Sequence, residues 1–301
     1  MPLSDRLRLS GGLRYTHEKQ DITSSYLGNG YPGSVASFDQ VAGISDSQLT
    51  GRLALSWDFS DELMGYISAS TGYAAGGYER LVIGSAAGTA TEPFRPAKSR
   101  SLEAGLKFQS EDGRLRAGGS LFYNDVKDGQ LFTYEAVPAG FRYFFTNQDY
   151  ESWGAEIEAD FAVTDALRLR GGLGLLDSRL VNAPAGSGRD GNKIPLAAGV
   201  TANLGVEYRL ETARGDVTFG VDWAHVGSRQ ADVGNTWKIP AYNIVNARFT
   251  WDVTPATSLY VFADNLFDER PVHFGATYTP TAHSVSVGPG RLVGVGLSMR
   301  F

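Results

Sequence analysis

Apolar side chains recur at every second position along most of this chain, and helical spacing is hard to find. The first runs are Leu7, Leu9, Leu13, Tyr15; Leu49, Leu53, Leu55, Trp57, Phe59; Leu63, Ile67, Ala69, Tyr73; and Leu102, Ala104, Leu106, Phe108. They continue with Leu115, Ala117, Leu121, Tyr123; Trp153, Ala155, Ile157, Ala159, Phe161; and Leu167, Leu169, Leu173, Leu175. Then come Val200 to Tyr208, Val217 to Trp223, Val245 to Trp251, a stretch from Leu259 to Asp264 whose phase is ambiguous, and Val293 to Phe301. The pattern predicts an all-β protein of about twelve strands.

No Asp, Glu, Lys or Arg occupies the apolar phase of these runs. The opposite phase carries Arg6, Arg8, Arg14, Arg52, Glu103, Lys107, Glu156, Glu158, Arg168, Arg170, Glu207, Asp222, Arg248 and Arg300. One face is therefore dry and the other wet. A soluble barrel or sandwich also alternates, but two regularities favour lipid on the dry side. Short polar connections at 60–62, 110–113, 163–166, 211–215 and 254–257 alternate without exception with long ones at 17–48, 74–97, 125–152, 177–193, 227–239 and 267–290. An up-and-down antiparallel transmembrane barrel, with short periplasmic turns and long extracellular loops, produces that alternation.

With that orientation, Tyr15, Tyr73, Tyr123, Trp153 and Trp223 fall at the long-loop ends of their strands. Trp57, Phe59, Phe108, Phe161, Tyr208, Trp251 and Phe301 fall at the short-turn ends. Two aromatic girdles are expected where amphipathic rings meet headgroup water. Hydrocarbon cannot satisfy edge N–H and C=O groups, so the strands are expected to close. On the wet face, a turn centred on Thr164 would set Asp160 opposite Arg168 and Glu158 opposite Arg170.

Composition narrows the function. The 301 residues include no Cys, which removes disulfide scaffolds, thiolate metal sites and cysteine nucleophiles. A net charge of −6 without a basic cluster speaks against nucleic acid as a partner. No apolar run is long enough for a membrane helix. Met1 to Arg6 has neither an apolar h-region nor a small-residue cleavage site, so no signal peptide is expected in this stretch.

Several segments resemble the C-terminal part of the barrel of a TonB-dependent outer-membrane receptor of the siderophore-receptor type. These are Tyr66 to Tyr78, with its serine-rich approach to Gly72-Tyr73 and the Gly76-Gly77-Tyr78 triplet; Leu102 to Lys107; Gly154 to Glu158; Asn265-Leu266-Phe267-Asp268; and Arg291 to Phe301. They stand in the family's order. Ala74 departs from the family where many members carry Lys, as does Pro271 where an aromatic is common.

The resemblance implies active uptake of a ferric siderophore or similar bulky nutrient across the Gram-negative cell outer membrane, in a barrel of 22 strands that encloses a plug. It also implies energy from the TonB complex, and a terminal strand (Val295, Leu297, Met299, Phe301) that the barrel-assembly machinery reads. The plug and TonB box are expected to be absent from residues 1–301, which would form a single barrel fragment with outer-membrane lipid as its solvent.

His17, His225, His273 and His283 lack ligand spacing and no carboxylate cluster resembles a metal cage, so no metal or cofactor is expected. The glycine pairs Gly11-Gly12, Gly76-Gly77, Gly118-Gly119 and Gly171-Gly172 lack the strand-to-helix context of a phosphate cradle, and are expected to leave room for a plug. The long loops hold Tyr26, Tyr31, Phe38, Tyr78, Phe94, Arg95, Tyr134, Phe141, Arg142, Tyr143, Phe144, Trp237, His273, Phe274 and Tyr278. Aromatics with interspersed Arg suit a flat anionic ligand, since rings stack and guanidinium offers bidentate bonds. Arg142, Tyr143, Phe144, Tyr78, Arg95 and His273 are the candidate ligand contacts, with packing of loop on loop as the alternative. A stand-alone passive pore and a barrel enzyme are the competing functions. The enzyme has no Ser-His or Asp-His arrangement at a strand end to support it.

Overall fold

The computed structural model describes residues 1–28, 37–78, 93–137, 140–279 and 282–300, with backbone alone at 26, 133–137, 140–144, 276–279 and 282–283. No helix occurs among them. Twelve strands form one antiparallel sheet: β1 (Leu7–Tyr26), β2 (Phe38–Asp58), β3 (Leu63–Ala74), β4 (Ala97–Gln109), β5 (Leu115–Val137), β6 (Gly140–Ala162), β7 (Leu167–Leu180), β8 (Val200–Leu210), β9 (Asp216–Val226), β10 (Tyr242–Thr254), β11 (Thr257–Asp264) and β12 (Leu292–Met299). Each strand pairs with its neighbours in chain order, the meander that the alternating connections predict.

The register keeps every apolar set on one face. Leu169, Val206, Val221, Ala247, Ala263 and Val293 lie opposite one another in successive strands. That row settles the ambiguous segment: Leu259, Val261 and Ala263 share the apolar face, while Tyr260 and Phe262 join Arg248 on the polar one. The apolar face has no protein beneath it. Leu13 is 80% exposed, Leu53 57%, Val221 45% and Leu297 54%. The buried aliphatic residues, Val126, Leu180, Ala231, Val233 and Ile239, all sit at the long-loop end. A water-soluble sandwich would enclose the dry face, so the soluble alternative fails on this observation.

Among the described residues the sheet does not close on itself. β1 pairs only with β2, and β12 only with β11, leaving two edges. Twelve strands thus form an open wall, and closure needs further partners for both edges.

The loops depart from expectation in a consistent direction, since strand pairing runs well past the membrane band. β5 and β6 each contain 23 residues and β1 and β2 contain 20 and 21. A tilted transmembrane strand needs only about 9–11. The expected loop at 125–152 is therefore a protruding hairpin that pairs as far as Val137 and Gly140, and that at 17–48 pairs as far as Tyr26 and Phe38. Short hairpins also occur inside three other long connections: Gly77–Tyr78 with Pro93–Phe94, Arg229–Gln230 with Lys238–Ile239, and Val272–Thr279 with Ala282–Val287.

The turn after β6 is centred one residue later than expected. Ala162 lies opposite Arg168 and Asp160 opposite Arg170. Thr164 Oγ1 accepts the N–H groups of Ala166, at 3.2 Å, and Leu167, at 2.9 Å, which fixes the longer turn. The Asp160–Arg168 pair still forms, diagonally, at 2.7 Å, but Arg170 turns to Glu207 at 3.8 Å and not to Glu158. Exposed pairs of this kind contribute about 0.2–1 kcal/mol each.

Several polar-face glycines are covered by side chains and leave no vacant space. A Cβ on Gly105 would meet the Tyr66 ring at 2.7 Å, on Gly154 the Phe122 ring at 2.6 Å, and on Gly296 the Tyr260 ring at 2.2 Å. Aromatic rings lie flat across the neighbouring strand there because no Cβ stands in the way. Of the expected glycine pairs, Gly12 alone faces open space, whereas Gly118 meets Glu158, Gly172 meets Asn203 and Gly77 meets the Phe94 ring.

Candidate functional site

The long-loop end gathers chemistry that the strands alone do not hold together. At its centre stands the β5–β6 hairpin, whose bulge between Val126 and Gly129 puts Asp128 at a φ of 54°. The bulge turns the Asp128 carboxylate to Arg95, which donates from Nε at 2.9 Å and again from Nη2. Asn147 locks the same segment. Its Oδ1 accepts the Arg95 N–H at 2.7 Å, while its Nδ2 donates to the carbonyls of Arg95 at 2.9 Å and Asp128 at 2.8 Å. Gln130 Nε2 adds a bond to the Ala75 carbonyl at 2.6 Å.

Above this polar lock lies an aromatic cluster drawn from three loops. The Phe94 and Phe145 ring centroids are 5.1 Å apart, Phe145 and Phe132 5.7 Å, and Phe132 and Phe274 6.3 Å. Phe132 and Phe145 are each 39% exposed, so the cluster keeps open ring surface. These distances suit tilted and edge-to-face packing.

The last three loops brace one another. Asn235 exchanges two hydrogen bonds with the Lys193 backbone, at 2.7 and 2.9 Å. Arg229, 7% exposed, donates Nη2 to the carbonyls of Val272 at 2.8 Å and His273 at 3.2 Å, and its guanidinium lies 5.7 Å over the Tyr242 ring. His273 meets the Tyr242 ring edge-on at 5.9 Å.

At the outer end of β11, Asn265-Leu266-Phe267-Asp268 forms a backbone knot. Asn265 is 6% exposed at a φ of 52°. Its Nδ2 donates to the Glu269 carbonyl at 2.8 Å and the Pro289 carbonyl at 3.2 Å, and its Oδ1 accepts the Glu269 N–H at 2.9 Å. Asp268, at a φ of 57°, accepts the Arg291 N–H at 2.8 Å. That bond, with the Arg270 and Arg291 guanidinium groups nearby, holds the Asp268 carboxyl below the usual carboxylate range. The motif joins both ends of the 267–290 loop, and Asn and Asp suit its two left-handed positions because they tolerate positive φ. Phe267 projects outward, 74% exposed.

Of the candidate ligand contacts, Arg95 is engaged by Asp128, Tyr78 is half-buried opposite Pro93, and His273 is exposed beside Tyr242. Arg142, Tyr143 and Phe144 pair through backbone with Glu135, Tyr134 and Thr133, and their side chains lie outside the described residues, as does Phe301. The structure adds Phe132, Phe145 and Arg229. The first two stand opposite one another in the paired strands β5 and β6. Among the described residues no group of His, Asp or Glu is placed to hold a metal ion.

The family model described as TonB dependent receptor-like, beta-barrel matches residues 1–266. The chain belongs to this family. Its curated relatives include the pesticin receptor of Yersinia pestis, 26% identical over 99% of this chain and 42% of the relative. They also include the ferrichrome outer membrane transporter/phage receptor of Escherichia coli K12, 24% identical over 78% of this chain and 31% of the relative. The chain thus spans less than half the length of these relatives. Among solved structures, the ferric yersiniabactin uptake receptor of Yersinia pestis superposes with a TM-score of 0.84 at 24% identity, over 99% of this chain and 44% of that one. A copper transporter superposes with a TM-score of 0.73 at 19% identity, over 99% and 47%. These likenesses show the fold, that of TonB-dependent receptor barrels. The resemblance to TonB-dependent receptors is borne out. Barrels of this family are outer-membrane proteins of Gram-negative bacteria, and they are receptors and transporters rather than enzymes.

Proposed function

We propose that residues 1–301 form a contiguous run of strands in the barrel of a TonB-dependent receptor that takes up a ferric siderophore or similar bulky ligand. The single observation behind this reading is the family match over 1–266, with a pesticin receptor aligned along 99% of this chain and a ferrioxamine receptor along 71%. In this account β1 and β12 pair with other strands of the receptor, and the polar face lines the lumen. The TonB complex supplies the energy, and the barrel-assembly machinery reads the apolar phase of β12 at Val295, Leu297 and Met299.

The exposed rings of Phe132 and Phe145, with Phe94 and Phe274, serve as the stacking wall for the ligand, with Tyr78 and His273 at its margins and Arg142, Tyr143 and Phe144 on the same hairpin. Arg95 orders that wall through Asp128 and Asn147. The test uses the full-length receptor carrying these strands, titrated with ferric yersiniabactin, ferrichrome and ferrioxamine while tryptophan fluorescence is followed. Saturable quenching by at least one ferric complex, weakened at least tenfold by Phe132→Ala with Phe145→Ala, is expected. Absence of binding, combined with ion conductance in planar bilayers, would replace the receptor with a passive pore.

A further inference from the structure

The outward face contains a feature that ligand uptake does not need. Between β1 and β5, small side chains at Ala69 and Thr71 open a trough walled by Leu13 and Leu53 on one side and by Leu102 and Tyr123 on the other, with a volume of about 1130 Å³. This is larger than the pocket of an ordinary drug-sized ligand, which runs to roughly 1,000 Å³. All these residues belong to the lipid phase of the sheet. Arg100 closes the trough at its long-loop end, one step beyond the girdle residue Tyr123, which sits opposite Leu102.

Arg100 and Lys98 lie on the same phase of β4, about 7 Å apart along the strand. Both are exposed, and neither side chain has an ion pair or hydrogen bond among the described residues. Their neighbours behave differently. Lys127 lies 3.4 Å from Asp125 and 3.2 Å from Asp149, Arg179 meets Glu151 at 2.7 Å, and Lys193 meets Asp177. The Asp125 carboxylate, which also borders the trough opposite Arg100, is thus held by Lys127. Two free cations therefore stand immediately above an apolar trough, at the depth where lipid headgroups meet the aromatic girdle. Long basic side chains reach such a level with their stems against apolar surface and their charges in the headgroup layer.

We propose that this face holds one phosphate-bearing lipid of the outer leaflet, with acyl chain in the trough and phosphate between Arg100 and Lys98. Guanidinium supplies paired donors to phosphate oxygens, and the Lys98 ammonium adds a point charge. The small residues of β3 give the chain its channel, and Tyr123 flanks the junction between chain and headgroup.

The experiment incubates the full-length receptor, in neutral detergent, with bisphosphorylated lipid A or with the same glycolipid stripped of its phosphates, and counts retained lipid by native mass spectrometry. The intact protein is expected to retain one equivalent of the phosphorylated form at least tenfold more readily than the dephosphorylated form. Arg100→Gln combined with Lys98→Gln should abolish that preference, and Ala69→Trp, which fills the trough, should lower retention of both forms. Equal retention of the two lipids by the unaltered receptor overturns the proposal without any variant. An undiminished preference in the double variant overturns the assignment to Arg100 and Lys98. Binding of ferric complexes is read separately, so failure here leaves the uptake function standing.

Discussion

Replacing Val221 by Arg tests the assignment of the apolar face at its most sensitive position. Val221 is the sixth of eleven residues in β9, about 17 Å along the strand from either end. A strand tilt of about 40° reduces that to about 13 Å along the membrane normal, half of an apolar band about 25 Å tall. The side chain therefore sits at the bilayer midplane, surrounded by Val206 and Ala247 on the flanking strands. Arg at that depth costs about 2–4 kcal/mol, or roughly 30- to 900-fold in the folding equilibrium. The same substitution at Val217, one residue from the short-turn end, should cost about 0–1 kcal/mol. Asp222→Val, on the polar face opposite Gly205 and Asn246, should stay within about 0.5 kcal/mol. The assay follows the folded fraction of the full-length receptor in phosphatidylcholine vesicles through a urea series, read as unheated electrophoretic mobility. Equal losses at Val217 and Val221, or a loss for Asp222→Val as large as that for Val221→Arg, would refute the argument.

Asn265→Leu removes three hydrogen bonds at a buried left-handed residue and should destabilise the 267–290 loop by about 2–3 kcal/mol; faster proteolysis between β11 and β12 checks this. Because the folded-state pKa of Asp268 is depressed, its contribution is present above the ordinary carboxylate pKa and is lost as pH falls through the lower folded value. Hydrogen exchange at the Arg291 N–H, after correction for intrinsic rates, should be flat from pH 7 to about 4 and accelerate below it, and Asp268→Asn should flatten the profile. Gly296→Val forces a Cβ onto the Tyr260 ring and disturbs its contact with Arg248, which lies 4.4 Å from the ring centroid. It should cost about 1–3 kcal/mol, while Gly12→Val, with open space around it, should leave the urea midpoint unchanged.

The sheet was legible because lipid imposes a rule that single residues rarely break, so period-two alternation between Leu7 and Met299 carries both strand positions and facing. What alternation does not encode is where pairing stops. Beyond the girdle both phases can be polar, which is why β1, β2, β5 and β6 run on through segments that read as loops. The turn after β6 shows a finer limit, since the hydroxyl of Thr164, through its bonds to Ala166 and Leu167, shifts the register by a pair. The site was legible only as a composition of aromatics and Arg. Phe94 and Phe274 were visible in it, but their meeting with Phe132 and Phe145 depends on a bulge and on contacts between loops far apart in sequence. Arg95 reads as a ligand contact until Asp128, turned by that bulge, is seen beside it. The function of Asn265 and Asp268 as a knot needs the Glu269, Pro289 and Arg291 backbone, which no local pattern reveals.

The most direct test of the account places single nitroxide labels in the full-length receptor at Leu53, Val221 and Leu297, and at Arg52, Asp222 and Ser298 one position away. The absence of Cys from this stretch makes the labelling simple. In lipid vesicles, the first three labels should collide strongly with oxygen and weakly with a water-soluble nickel chelate, and the second three should show the reverse. If the labels at Leu53, Val221 and Leu297 are the ones open to the chelate, lipid does not cover that face and the barrel account is wrong.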